Sequence, residues 1–187
     1  MFKQIAARRH SRRIRDDFYG RIVALSRHPV AYAEWGVPDT PEGRFEMLTL
    51  CMFLVLQRLR EEGAGRVDLA QDLTDAFFSD LDAAHRQMGV GDLKIPRRMR
   101  ELAGVVEARF ASYREACETG QNGLAGPVAE AFSGHPDTPR VHAAAIAACA
   151  HSLLAAFEDT AIEDMTRPET GLGALAGCKE WPSHDQA

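Results

Sequence analysis

The sequence predicts an all-α, single-domain helical bundle of about five to six helices around one central apolar helix. Three observations carry this expectation. Apolar residues recur at helical spacing in nearly every segment, strand-like alternation is absent, and one stretch, Met47 to Leu56, is apolar almost all round. A length of 187 residues suits one domain, and a hydrophobic share of 45% is enough to fill its core.

In chain order, Ile14, Phe18, Ile22 and Leu25 fall on one stripe of a first helix. The stretch "HPVAYAEWGVPDTPEG" (28–43) interrupts it with Pro29, Pro38, Pro41, Gly36 and Gly43. Thr40 before Pro41 reads as an N-cap followed by proline at the first helical position. The second helix spans roughly 41–62, and from Met47 to Leu56 only Thr49 is polar, which places it at the centre of the bundle. That apolar stretch is too short to cross a bilayer, which needs about 20 residues. Gly63 closes the helix.

A third helix opens at Asp68 and runs to about Met88, closed by Gly89, with Leu69, Leu73, Phe77, Leu81, Ala84 and Met88 as its apolar face. A fourth starts near Pro96 and carries Met99, Leu102, Val106, Phe110, Tyr113 and Cys117 on one stripe. A short segment follows around 128–133, then a last apolar helix from about Arg140 to Asp159. The chain divides into a basic N-terminal helix (1–28), a helical domain (29–160) and a loosely ordered tail rich in Gly and Pro (161–187).

Charge is sorted along the chain. Residues 1–15 hold Lys3, Arg8, Arg9, Arg12, Arg13 and Arg15 and no acid, whereas the overall net charge is -5. The basic start lacks a following apolar run, so it is not read as a signal peptide. Its arginines also fit a mitochondrial transit peptide, but a basic first helix of the mature protein is the preferred reading. It is either a solvated basic face or a contact for rRNA or anionic lipid, worth about 1 kcal/mol per basic residue near a charged membrane. Cys51, Cys117, Cys149 and Cys178 lie far apart without metal-ligand spacing, and the first three read as buried thiols of a reducing compartment.

Catalytic and metal constellations find little support. Asp68, Asp72, Asp75 and Asp82 cluster on the flank opposite the apolar face of the third helix, and no Glu-x-x-His motif accompanies them. The histidines are scattered, and "GVGDL" lacks the preceding strand that a nucleotide loop needs. No metal, cofactor or catalytic residue is therefore expected. The rival class is a haem-handling protein or small helical enzyme using His85, His142, His151 or a cysteine; a further rival is an RNA- or ribosome-binding adaptor using residues 3–15 and 94–100.

The stretch "QDLTDAFFSDLDAAHRQMGVGDLKIPRRM" (71–99) is the most informative, with acids in its first half and Lys94, Arg97 and Arg98 in its second. On a helical wheel Asp80 falls inside the apolar face, where a carboxylate needs a partner. That partner is an arginine or a helix N-terminus of the same chain, or a bound protein. Phe78 lies outside the main apolar arc and reads as an exposed anchor beside charges. Basic residues at the start of the fourth helix oppose its dipole, so either the acidic flank of the third helix or an anionic partner must offset them.

The segments "PDTPEGRF" (38–45), "DAFFSDLD" (75–82) and "R-x-M-G-V-G-D" (86–92), in this order within residues 30–120, resemble the ubiquinol–cytochrome c chaperone family, bacterial relatives of a mitochondrial assembly factor for the bc1 complex. Cys51 departs from the histidine expected at that position in many relatives. The resemblance implies an all-helical protein, not an enzyme, that escorts newly made cytochrome b or its nascent chain, with a small helical protein as a further partner. It implies a cytoplasmic chain, peripheral at the inner face of the cytoplasmic membrane in a bacterium, or a matrix protein in a mitochondrion. Under that reading the third helix and the following bend form the docking surface. Phe78, Asp80, Asp82, Arg86 and Asp92 make the contact; Trp35, Arg44 and Phe45 shape its edge; Lys94, Arg97 and Arg98 supply positive charge.

Overall fold

The computed structural model describes residues 15–118, 123–133, 141–158 and 160–165. All regular structure among them is helical: α1 (residues 15–26), α2 (Pro29–Ala33), α3 (Pro41–Glu61), a 3-10 turn (Ala64–Arg66), α4 (Val67–Gln87), α5 (Ile95–Glu118), α6 (Ala125–Phe132), α7 (Ala143–Glu158) and α8 (Ile162–Met165). The predicted all-α single-domain bundle is what the chain forms.

The apolar stripe of α1 is completely buried through Phe18, Ile22 and Leu25. Pro29 follows at once and begins α2, because proline disfavours helical geometry in the residue before it but fits the first turn of a new helix. The His28 Nδ1 accepts the Val30 N–H there. Thr40 caps α3 as its sequence predicts: its hydroxyl accepts the Gly43 N–H at 3.2 Å, and Pro41 takes the first helical position.

Helix α3 is the axis of the molecule. Its residues from Glu46 to Val55 are all buried, and α4, α5, α6 and α7 follow one another around it in chain order. Phe53 of α3 meets Phe110 and Tyr113 of α5 with ring centroids 5.8 Å and 5.4 Å apart and planes tilted, the arrangement aromatic quadrupoles favour. Truncating Phe53 to alanine would cost about 3–5 kcal/mol through lost burial and the cavity left behind. At the far end the Arg58 Nε donates to the Phe157 carbonyl at 2.8 Å, so one buried guanidinium fastens the last turn of α7 to that of α3. Gly63 ends α3 at φ 86°, a left-handed conformation that side-chain-bearing residues avoid.

Two short helices depart from expectation: α2 lies within the predicted break at 28–43, and α8, with Ile162 and Met165 buried, lies within the predicted loose tail. Three further boundaries also differ. Helix α4 starts at Val67 and not at Asp68, because the 3-10 turn runs straight into it. Asp68 thus lies in the first turn, where its charge faces the positive end of the helix. Helix α6 starts at Ala125, three residues before the predicted segment. Pro127 is accommodated because first-turn N–H groups have no intrahelical acceptor. Helix α7 starts at Ala143, after the Val141–His142 link.

Candidate functional site

The first turns of α3, the C-terminal half of α4 and the start of α5 do not close on one another. With the end of α1 they enclose an open groove of about 260 Å³. Its apolar lining is supplied by Phe45 and Leu48 of α3, Leu81, Ala84 and Met88 of α4, and Leu102 of α5. Local sequence dictates this. The α4 stripe Leu73, Phe77 and Leu81 is buried, but four and seven residues on it emerges, leaving Met88 53% exposed. Gly89, at φ 82°, then turns the chain away, with the Val90 N–H donating to the His85 carbonyl in a C-terminal cap.

The "PDTPEGRF" motif builds the opposite wall. Gly43 packs so tightly on Pro38 that a Cβ would lie 2.1 Å from the Pro38 carbonyl oxygen. That close approach, with the Thr40 cap, sets the start of α3 and so places Arg44 and Phe45 at the groove.

The rim is charged in both senses. Arg27, Arg44 and Arg98 stand against Glu42 and Asp80. The Arg44 Nε lies 2.6 Å from the Asp39 carboxylate and holds its carboxyl below the usual range. The Tyr19 hydroxyl donates to Asp80 at 3.0 Å, and burial together with this carboxylate pushes the phenol well above its ordinary value. The His85 Nδ1 lies 2.8 Å from the Leu81 carbonyl, and Nε2 accepts from the Arg98 Nε at 3.4 Å. This pair of bonds selects the tautomer protonated on Nδ1.

Beside the groove mouth lies a second group of charges. Arg86 bridges Asp82, at 2.7 Å, and Asp92 across the bend between α4 and α5. Arg97 and Arg98 pair with Glu101 at 2.9 and 3.6 Å. Lys94 is exposed, and Leu93 stands 99% exposed at the tip of the bend.

Of the predicted contact residues, the structure brings Arg44, Phe45, Asp80 and Arg98 into the groove. Asp82, Arg86, Asp92, Lys94 and Arg97 lie on the adjoining bend or its flanks, outside the lining. Several expectations need correction. Asp80 is exposed and not inside a buried face, because the face of α4 opens into the groove at this level; its partner is a tyrosine of α1, not an arginine or a helix end. Phe78 is not an exposed anchor: it is half-buried, packed on the core and against Phe77 with ring centroids 5.3 Å apart. Trp35 lies away from the groove, on the α7 side of α3 with Cys51 and Cys149, and its carbonyl accepts the His142 N–H at 2.9 Å. Of the arginines that open α5, Arg97 and Arg98 are offset by Glu101 of their own helix and not by the acids of α4, because spacings of four and three residues bring Glu101 alongside both.

Cys51 and Cys149 are buried as expected, and burial pushes the Cys51 thiol up to about 12; Cys117 is only half-buried. His85 lines the groove, His142 is exposed and His151 is half-buried on α7. No group of three or more metal-ligating side chains occurs among the described residues. His10, His135, His184, Cys178 and the basic segment up to Ile14 lie outside the described residues.

Sequence reasoning missed the buried ion pair of the site's scaffold. Arg109 of α5 reaches Glu46 of α3 through two bonds of 3.1 Å, with the Glu46 side chain 8% exposed. The signal was a carboxylate directly before the apolar run of a central helix, which demands a cation from a neighbouring element.

No curated protein matches the chain. Residues 33–170 match the family described as Ubiquinol-cytochrome C chaperone. The crystal structure of the Cbp3 homolog from Brucella abortus superposes with a TM-score of 0.74 at 31% sequence identity, covering 92% of this chain and 94% of that chain. The family match takes in the walls of the groove, and the structural likeness extends over nearly the whole length: the chain belongs to the ubiquinol–cytochrome c chaperone family.

Proposed function

We propose that this chaperone holds newly made cytochrome b in the groove between α3, α4 and α5 until partner subunits of the bc1 complex cover it. One observation carries the reading. The apolar lining does not end at the surface: it continues into Met88, 53% exposed, and the bend beyond carries Leu93, 99% exposed. A concave apolar floor that runs out to exposed apolar side chains suits the binding of another polypeptide. The mixed charges of the rim hold the mouth in water, while the apolar floor suits a segment destined for a membrane. No helix among the described residues is long and apolar enough to cross a membrane itself.

Holding needs no bond chemistry. The polar groups of the groove pair within the chain, Tyr19 with Asp80, Arg44 with Asp39 and Arg98 with His85, around the apolar floor.

The test is genetic. In a strain lacking the gene, reduced-minus-oxidised spectra should show cytochrome b and bc1 activity strongly reduced. Wild-type chain should restore both, and Met88→Glu should not. Normal cytochrome b in the deletion strain would defeat the proposal.

A further inference from the structure

We infer that a second groove, at the opposite end of the α3–α4–α5 triangle, docks an acidic amphipathic helix of a partner protein. It occupies about 400 Å³ between the C-terminal half of α3, the start of α4 and the C-terminal half of α5. It is separate from the client groove: from Phe45 to Leu59 along α3 is about 20 Å at the helical rise.

The floor is apolar and partly aromatic, with Phe53, Leu59 and Phe110, and Val67 stands 62% exposed at its rim. Every charged residue of the lining is an arginine: Arg60, Arg66 and Arg114. The rim is thus positive in a chain whose net charge is -5. The neighbouring Glu61 and Asp75 carboxylates accept the Gln57 and Gln71 amides at 2.9 Å and 2.8 Å and line no part of the groove. Arg60 and Arg114 are exposed and form no ion pair among the described residues.

Charge complementarity therefore calls for carboxylates flanking an apolar stripe. The shape selects a helix. A concave floor is filled by side chains that protrude at spacings of three, four and seven residues, whereas a bilayer is flat to it. Strand addition is ruled out because it needs a sheet edge and the described residues hold no strand. Aromatic floors rimmed with arginine are also the composition that concentrates binding energy.

The probe is a labelled helical peptide of about 18 residues, long enough to hold a helix, with leucines on one stripe and glutamates on both flanks. Fluorescence anisotropy with the full chain should show saturable binding that weakens as salt is added. Arg60→Glu with Arg114→Glu should weaken it at least about tenfold. Replacing the peptide's glutamates by lysines should restore affinity to that double variant. Val67→Glu gives the same loss through a single exposed side chain, which guards against misfolding of the double variant. Met88→Glu, at the exposed mouth of the client groove, should leave it unchanged, so that failure of the client proposal and of this one are distinguishable. Absence of peptide binding would overturn the inference, as would equal affinity of wild type and double variant. So would arginine-dependent binding found only with phosphatidylglycerol vesicles, or only as self-association in sedimentation.

Discussion

The Tyr19 hydroxyl donates to the Asp80 carboxylate at 3.0 Å and ties α1 to the wall of the groove between α3, α4 and α5 across 61 positions of sequence. Tyr19→Phe removes this tie while leaving the ring in place. Because Asp80 is exposed and regains water, the loss should be only about 0.5–1 kcal/mol in urea denaturation.

The phenols also set an alkaline limit. Burial raises Tyr19, Tyr113 and Tyr32 above the ordinary 10.0, Tyr32 to about 12, and the Tyr32 hydroxyl must keep its proton to donate to the Ser26 carbonyl at 2.9 Å. The folded chain therefore holds protons that the unfolded chain releases. Their contribution is complete below pH 10.0 and is lost as pH rises through about 12 for Tyr32. Urea midpoints should fall across that window, and Tyr32→Phe should flatten the fall. A midpoint constant across it would contradict the assignment.

The Glu46–Arg109 pair should behave as a buried ion pair does. Arg109→Met alone strands a carboxylate that is 8% exposed and should cost about 3 kcal/mol or more. Glu46→Leu combined with Arg109→Met should lie within about 1 kcal/mol of wild type, because neither charge then needs a partner. A double-mutant cycle in urea measures the difference, and simple additivity of the two single losses would show that the groups do not act as a pair.

Gly43→Ala should damage the groove from a distance. The added methyl would meet the Pro38 carbonyl oxygen at 2.1 Å, and backbone cannot yield as a side chain tip can. The expected cost is about 1–3 kcal/mol, with α3 displaced at its start and Arg44 and Phe45 carried with it. Thermal unfolding and the cytochrome b content of a complemented strain should fall together.

The helices were legible because a buried stripe at helical spacing and a few terminators specify them: Thr40 with Pro41, Gly63 and Gly89 all act where their residue types predict. The site was legible in part. A helical wheel assigns a face but not the element opposite it, so contacts spanning 61, 63 and 99 positions, from Tyr19, Glu46 and Arg58, left no local trace. Asp80 was misplaced for a related reason. The wheel assumes that an apolar arc is covered along its whole length, whereas the arc of α4 is uncovered where the groove begins. Phe78 was misplaced by the opposite error: it lies outside the main arc yet packs on the core, so α4 is covered beyond one stripe.

Photocrosslinking in living cells tests the central claim most directly, with a photoreactive residue replacing Met88 at the groove mouth and, as control, Val105, which is 40% exposed on α5 outside both grooves. Irradiation during bc1 synthesis should join position 88, and not position 105, to cytochrome b. Cytochrome b attached at position 105 and absent from position 88, in cells that still assemble the complex, would contradict the account.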